Sequence, residues 1–129
     1  MESRHIPDSA ITASSQIGPA WGPENARLHF QGAPGHVGGW RPYLPSSLDS
    51  SKWLQVDFGT ETQVTGVATQ GYHAADYWVT SFTLSYRGAG SSYFKQYQPD
   101  RYTKVYWLLS LETFRENRCC NWLQYDSLR

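Results

Sequence analysis

His73 and Asp76, three residues apart in the stretch Gly71–Tyr77, are the pair whose types could do chemistry in this 129-residue chain. An imidazole beside a carboxylate can act as a general base toward a nearby serine, or can supply two ligands to a metal ion. Neither arrangement is complete in the sequence. A nucleophilic triad needs three side chains meeting within hydrogen-bond reach, and a metal site needs three or four ligands. There is no Gly-x-Ser-x-Gly elbow, no His-Glu-x-x-His pair and no Gly-rich phosphate loop. A small hydrolase therefore stays a rival reading, and no catalytic residue, metal or cofactor is assigned. Cys119 and Cys120 are adjacent, where a bridge would strain the peptide between them, and they read as free thiols. His5 and His29 have no ligand pattern near them and read as surface or internally satisfied histidines.

The same residue types suit recognition better than bond-breaking. Tyr72, His73, Asp76 and Tyr77 combine aromatic faces, which pack on sugar C–H groups, with polar groups that hydrogen-bond hydroxyls. Gln31–Gly39 holds four Gly and one Pro around His36 and Val37, a composition too flexible for regular structure. Gln16–Asn25 holds two Pro and two Gly, which is loop composition. Loops of this kind carry function when a rigid scaffold holds them.

That scaffold is legible in alternation. In Trp53–Phe58, Leu54, Val56 and Phe58 fall on one face, while Trp53, Gln55 and Asp57 fall on the other. Gln63–Gln70 follows a turn at Gly59–Thr62 and carries β-branched Val64, Thr65, Val67 and Thr69. Trp78–Tyr86 alternates most clearly, with Trp78, Thr80, Phe82, Leu84 and Tyr86 on one face. Period-two patterns of this length predict half-buried strands. Tyr93–Tyr97 is predicted to return antiparallel after a turn at Gly88–Ser92, and Ala10–Ser15 to form a short strand. Trp107–Arg118 has a spacing that helix could use as easily as strand.

Composition agrees with an all-β class. Aromatic residues make up 16%, and 11 Gly with 7 Pro imply many turns. The formal net charge is zero. Six basic groups stand against eight acidic ones through residue 100, and five against three after it. Without a basic stripe, nucleic-acid binding is not expected. No apolar run reaches the length of a membrane span, and residues 1–30 lack the apolar stretch of a secretion signal.

Six blocks in order resemble the discoidin, or coagulation factor 5/8 type C, domain family. They are Ile6–Asp8 with Ile11–Ser15, Trp21–Leu28, Gly38–Trp40, Trp53–Gly59, Val64–Gly71 and Trp78–Tyr86. The resemblance implies an all-β, galactose-binding-like jelly-roll sandwich. It also implies a module that recognises cell-surface or matrix ligands (glycan, protein or phospholipid) in adhesion, outside the cell and within a larger protein. Gln16, Ile17, Pro19, His36, Val37, Tyr72, His73, Asp76 and Tyr77 are the binding residues it suggests, on three loops at one end of the barrel. With only Ile17 as a large tip hydrophobe, lipid insertion is the less favoured mode. Trp21, Trp40, Trp53 and Trp78 are expected to be structural, and Arg27 is expected to pair with Asp57.

The family's terminal cysteine bridge and its closing strands have no counterpart in the pattern. The expected division is a discoidin-like domain over 1–104 lacking those strands, followed by a divergent tail over 105–129. A jelly roll short of its last strands would be marginally stable, since orphaned buried polar groups cost about 1–3 kcal/mol each. A non-functional or regulatory truncated fragment of an adhesion protein is the alternative reading.

Overall fold

The computed structural model describes residues 5–44, 51–79, 81–88, 90–98, 105–106 and 108–112. Regular structure among them consists of nine short strands and three 3-10 turns, with no α-helix. The strands are β1 (Ile11–Ala13), β2 (Gly32–Ala33), β3 (His36–Val37), β4 (Trp53–Val56) and β5 (Gln63–Val64). They continue with β6 (Thr83–Arg87), β7 (Lys95–Gln96), β8 (Val105–Tyr106) and β9 (Leu108–Glu112). The expected all-β class holds.

One five-stranded sheet dominates, in the order β1-β4-β9-β6-β7, with every neighbouring pair antiparallel. The alternation in β4 sets its register. Leu54 lies opposite Ala13 on β1 and Leu111 on β9, and Val56 lies opposite Ile11 and Leu109. Leu54 and Val56 are buried with Ile6, Ile11, Ala26, Leu28 and Trp40, and Trp21, Phe30, Phe58, Val67, Tyr77 and Leu84 pack against that cluster. Burying one such aliphatic side chain contributes about 1.5–3 kcal/mol, so this cluster is what holds the loops' foundations together. β2 and β3 form a hairpin, and β5 pairs with β8.

Several expectations change. The sequence reading ends the domain near residue 104, without closing strands, and leaves 107–118 open between helix and strand. Leu108–Glu112 is instead the middle strand of the large sheet, paired on both edges, and Val105–Tyr106 pairs with β5. The sheet therefore runs past that boundary. Two hydrogen-bonding edges, β4 and β6, decide a spacing that is ambiguous on its own. Cys119, Cys120 and the rest of 113–129 lie outside the described residues.

The strand expected over Trp78–Tyr86 begins only at Thr83, which among the described residues is its first position paired with β9, opposite Glu112. Upstream, Trp78 is 53% exposed and Phe82 38% exposed. Trp78 is thus not a core residue, and Phe82 does not join Leu54 and Val56 in the interior. Thr80 lies outside the described residues. Gln31–Gly39, read as irregular, contains the β2–β3 hairpin: Pro34 sets its first corner and Gly35 takes φ 80°, a backbone region open to glycine.

The Arg27–Asp57 pair also fails. Arg27 is buried and donates to the Asp8 carboxylate through Nε (3.2 Å) and Nη2, and through Nη2 to the Ile6 carbonyl at 2.8 Å. Asp57 is exposed, and its Oδ1 accepts the Gly59 N–H at 2.7 Å, closing the turn after β4. Asp8 lies on the 3-10 turn Asp8–Ala10, which contacts the Pro23–Asn25 turn, so the fold brings Asp8 to Arg27.

Candidate functional site

The three loops singled out in the sequence are joined into one surface, and each junction is a specific contact. The first loop, Gln16–Ala20, is anchored at its base. Trp40 is buried and donates its indole N–H to the Ser15 carbonyl at 2.9 Å, and the Ile17 N–H reaches the Arg41 carbonyl at 2.8 Å. The loop then enters the 3-10 turn Pro19–Trp21, where Trp21 N–H returns to the Gly18 carbonyl at 3.0 Å. Proline at the start of such a turn loses no hydrogen bond and brings its φ preset.

The second loop is tied to the first through a buried amide. Asn25 donates from Nδ2 to the Ala20 carbonyl at 2.8 Å, and its Oδ1 lies 3.1 Å from His36 Nδ1 on β3. With the amide oriented by Ala20, Oδ1 is the acceptor, so His36 carries its proton on Nδ1. Glu24 Oε1 sits 3.4 Å from the same nitrogen. Beside this hairpin a concavity of about 440 Å³ is lined by Asp8, Glu24, Arg27, Phe30, Ala33 and His36 among others. Its guanidinium is already engaged by Asp8.

The third loop closes on itself and then onto the other two. Tyr72 and Tyr77 form a bridge, with the Tyr72 N–H on the Tyr77 carbonyl at 2.7 Å, and their rings stack at 6.3 Å. Tyr72 meets Trp21 of the first loop at 5.3 Å between centroids, and His73 packs on Tyr72 at 5.1 Å. The His73 imidazole also lies over Gly38, so closely that a β-carbon there would stand 2.6 Å from Cε1. Only glycine lets that ring approach the end of the second loop.

Arg41 completes the cluster. Its guanidinium carbon lies 5.8 Å from the Trp21 ring centroid and 5.2 Å from that of Tyr77, within the range of cation–π attraction. Its backbone N–H donates to the Trp21 carbonyl at 3.3 Å. Arg41 thus links the first loop to the third, and sequence reasoning missed it. The run Trp40-Arg41-Pro42-Tyr43, aromatic and basic directly after the second loop, was the available signal.

Of the proposed binding residues, Ile17 is exposed at its tip, and His36, Val37, Tyr72, His73 and Tyr77 fall at the junctions between loops. Gln16 is spent locally, its Nε2 donating to the Gly18 carbonyl at 3.2 Å. Pro19 serves the 3-10 turn, and Asp76 is exposed. Among the described residues, His73 and Asp76 share no hydrogen bond, and no three His, Cys, Asp or Glu side chains cluster as metal ligands. Of the tryptophans expected to be structural, Trp40 is buried, Trp21 packs on the core and Trp53 is half-buried. Large hydrophobes beyond Ile17 reach solvent around Arg41 and Tyr77: Tyr43 (57% exposed), Leu44 and Trp78.

Comparison with known proteins agrees with this scaffold. The sequence profile of the F5/8 type C domain matches residues 10–114. Coagulation factor VIII from Sus scrofa is 37% identical over 111 residues, which covers 82% of this chain and 5% of that protein. Over 74 residues, identity reaches 45% with coagulation factor VIII from Canis lupus familiaris and 46% with that from Homo sapiens. These stretches cover 55% of this chain and 3% of each of those proteins. The chain spans only a small part of these relatives' length. A profile match from β1 to just beyond β9, over strands paired as described, means that the chain belongs to the F5/8 type C, or discoidin, domain family.

Proposed function

We propose that this domain is a non-catalytic recognition module that binds cell-surface or matrix ligands outside the cell, with the three joined loops as its contact face. The observation that carries this reading is the convergence of Gln16–Ala20, Gln31–Gly39 and Gly71–Tyr77 through Trp21–Tyr72, Asn25–His36 and His73–Gly38. Loops fixed to one another lose little entropy on binding, and that preorganisation favours affinity. The exposed Ile17, Tyr43, Leu44 and Trp78 beside a cation give the face an amphiphilic character. A phospholipid surface therefore suits it better than the sequence suggests, alongside protein and glycan.

The test presents the full chain to phospholipid vesicles, immobilised collagen and a glycan array. Binding to at least one of these surfaces is expected, weakened about tenfold or more by Tyr72→Ala combined with His73→Ala, a loss of roughly 1.4 kcal/mol. Failure to bind any of the three, or binding that ignores the double substitution, would defeat the proposal.

A further inference from the structure

The concavity beside the β2–β3 hairpin stands apart from the three-loop face. Asp8, Glu24, Arg27, Phe30, Ala33 and His36 are among its lining, whereas Trp21, Arg41, Tyr72 and Tyr77 are not. Its volume of about 440 Å³ falls within the roughly 300–1,000 Å³ usual for small-ligand clefts. The walls are rich in hydrogen-bond acceptors. Arg27, the basic residue of the lining, is buried and engaged by Asp8 Oδ1 and the Ile6 carbonyl. Among the described residues no hydrogen bond reaches Asp8 Oδ2, and that side chain is 61% exposed. With its proton on Nδ1, facing Asn25 Oδ1 and Glu24, His36 keeps Nε2 as a further acceptor.

Glu24 supplies a charge without a fixed counterion among the described residues. Its side chain is only 27% exposed, and its ionic neighbour is His36 at 3.4 Å, which is charged only when protonated. A carboxylate so far withdrawn from water gains from a permanent cation beside it. It is also held in place, folded back over Gly22, where a β-carbon would overlap both of its oxygens. With the imidazoles uncharged, two carboxylates against one guanidinium leave the lining one negative charge in excess. Phe30 adds a half-buried ring packed on the core, a flat surface on which a guanidinium can stack. Arginine is the side chain that answers all of these features, with a permanent charge, a plane and five N–H donors. His29, also in the lining, is held at φ 63°, a conformation uncommon outside glycine. We infer that this concavity receives an arginine side chain of a partner protein, with Glu24 as its counterion and Phe30 as its stacking surface. The site goes beyond the recognition reading above and does not depend on it.

The experiment titrates the isotope-labelled full chain, at constant ionic strength, with Nα-acetyl-arginine amide, which represents an arginine within a polypeptide. Saturable shifts of the Phe30, Ala33 and His36 amide resonances are expected, with a Kd of about 1 mM for one side chain. Nα-acetyl-citrulline amide, which has the same shape and no charge, should bind about tenfold more weakly or worse. Nα-acetyl-lysine amide keeps the charge and loses the plane, and its affinity should fall about threefold. Free arginine carries its own carboxylate toward an acidic lining and should bind more weakly than the capped form. Glu24→Gln should weaken the capped arginine about fivefold. Asp57→Asn, which removes an equal charge from the turn after β4, should leave its binding unchanged.

The inference is overturned by the absence of saturable shifts at Phe30 and Ala33, or by citrulline binding as tightly as arginine. Equal affinity of wild type and Glu24→Gln, or an equal loss in Asp57→Asn, overturns it as well. Tighter binding of free arginine than of the capped form would overturn the assignment to a protein partner. Should Glu24→Gln lose its cooperative thermal transition, Gly22→Ala decides by the same titration. At φ −66° that backbone accepts alanine, and the new methyl displaces the Glu24 carboxylate while keeping its charge. Arginine-dependent shifts in a chain that binds no vesicle, collagen or glycan would uphold this site while the three-loop reading fails.

Discussion

Gly38→Ala isolates the junction between the second and third loops. The backbone at Gly38 does not need the left-handed region, so alanine brings no conformational strain. Replacing glycine where the backbone permits it stabilises by about 0.4–1 kcal/mol through the unfolded chain. Space works the other way. The new methyl would stand 2.6 Å and 2.7 Å from His73 Cε1 and Nδ1, and 2.9 Å from the Gln31 carbonyl carbon. Carbon atoms prefer roughly 3.5–4 Å. His73 is exposed and can rotate away, whereas the Gln31 backbone leads directly into β2. Overpacking of this kind costs about 1–3 kcal/mol, so a net loss of roughly 1–2 kcal/mol is expected after the entropic gain. For a domain of this size that lowers Tm by about 3–8 °C. Calorimetry of the single variant and of Gly38→Ala with His73→Ala measures both contributions. The second substitution should restore part of the loss, with a coupling of about 0.5 kcal/mol or more. Gly18→Ala, where nothing lies within 4 Å and φ is an extended −178°, is the neutral control. A Gly38→Ala domain as stable as the wild type would show that the contact between His73, Gly38 and Gln31 does not constrain the loops.

Two further substitutions separate interior from surface. Arg27→Met should destabilise by about 3 kcal/mol or more, because it leaves the Ile6 carbonyl without its buried donor and removes one side of an ion pair. Asp8→Asn should cost much less, near 1 kcal/mol, since the Asp8 side chain is 61% exposed against 7% for Arg27 and water can take its place; urea denaturation that ranks the two the other way would contradict this account. Leu54→Ala, in the buried cluster, should cost about 2–5 kcal/mol, while Phe82→Ala, outside the strand and exposed, should stay within about 1 kcal/mol; equal losses in Tm would place Phe82 in the interior after all.

The sequence exposes some parts of this architecture because their physics is local. β4 is readable since one of its faces is buried and the other is not, which writes Leu54 and Val56 into alternate positions. Alternation says which side chains share a face but not how much of a segment is paired, so Trp78–Tyr86 reads as one long strand although, among the described residues, its pairing with β9 starts at Thr83. β9 itself is Leu108-Leu109-Ser110-Leu111-Glu112, too short for its alternation of Leu109 and Leu111 with Ser110 and Glu112 to stand out. Trp107, Leu108, Leu111 and Phe114 are spaced as a helix face would be as well, so the pattern alone does not separate strand from helix. Arg27 finds Asp8 across 19 residues, a pairing that only the tertiary arrangement creates.

The candidate face divides along the same line. Glycine marks all three loops, proline the first two and tyrosine the third, and turns need glycine and proline wherever they occur. Their joining depends on long-range contacts such as Trp21 with Tyr72, and no pattern along the chain encodes those. Arg41 was passed over for a related reason: it sits in a stretch without regular structure, and its significance comes from two rings that arrive from elsewhere.

The position of β9 governs the order of events during synthesis. A nascent chain emerging from the ribosome exposes the segments of β4 and β6 long before the strand that will lie between them has been translated. Until that strand appears, neither flank can complete its ladder, and each offers open N–H and C=O groups to any neighbouring polypeptide. A stalled translation product ending ahead of Leu108 would carry all three candidate loops yet would be the form most prone to stick to chaperones or to its own copies.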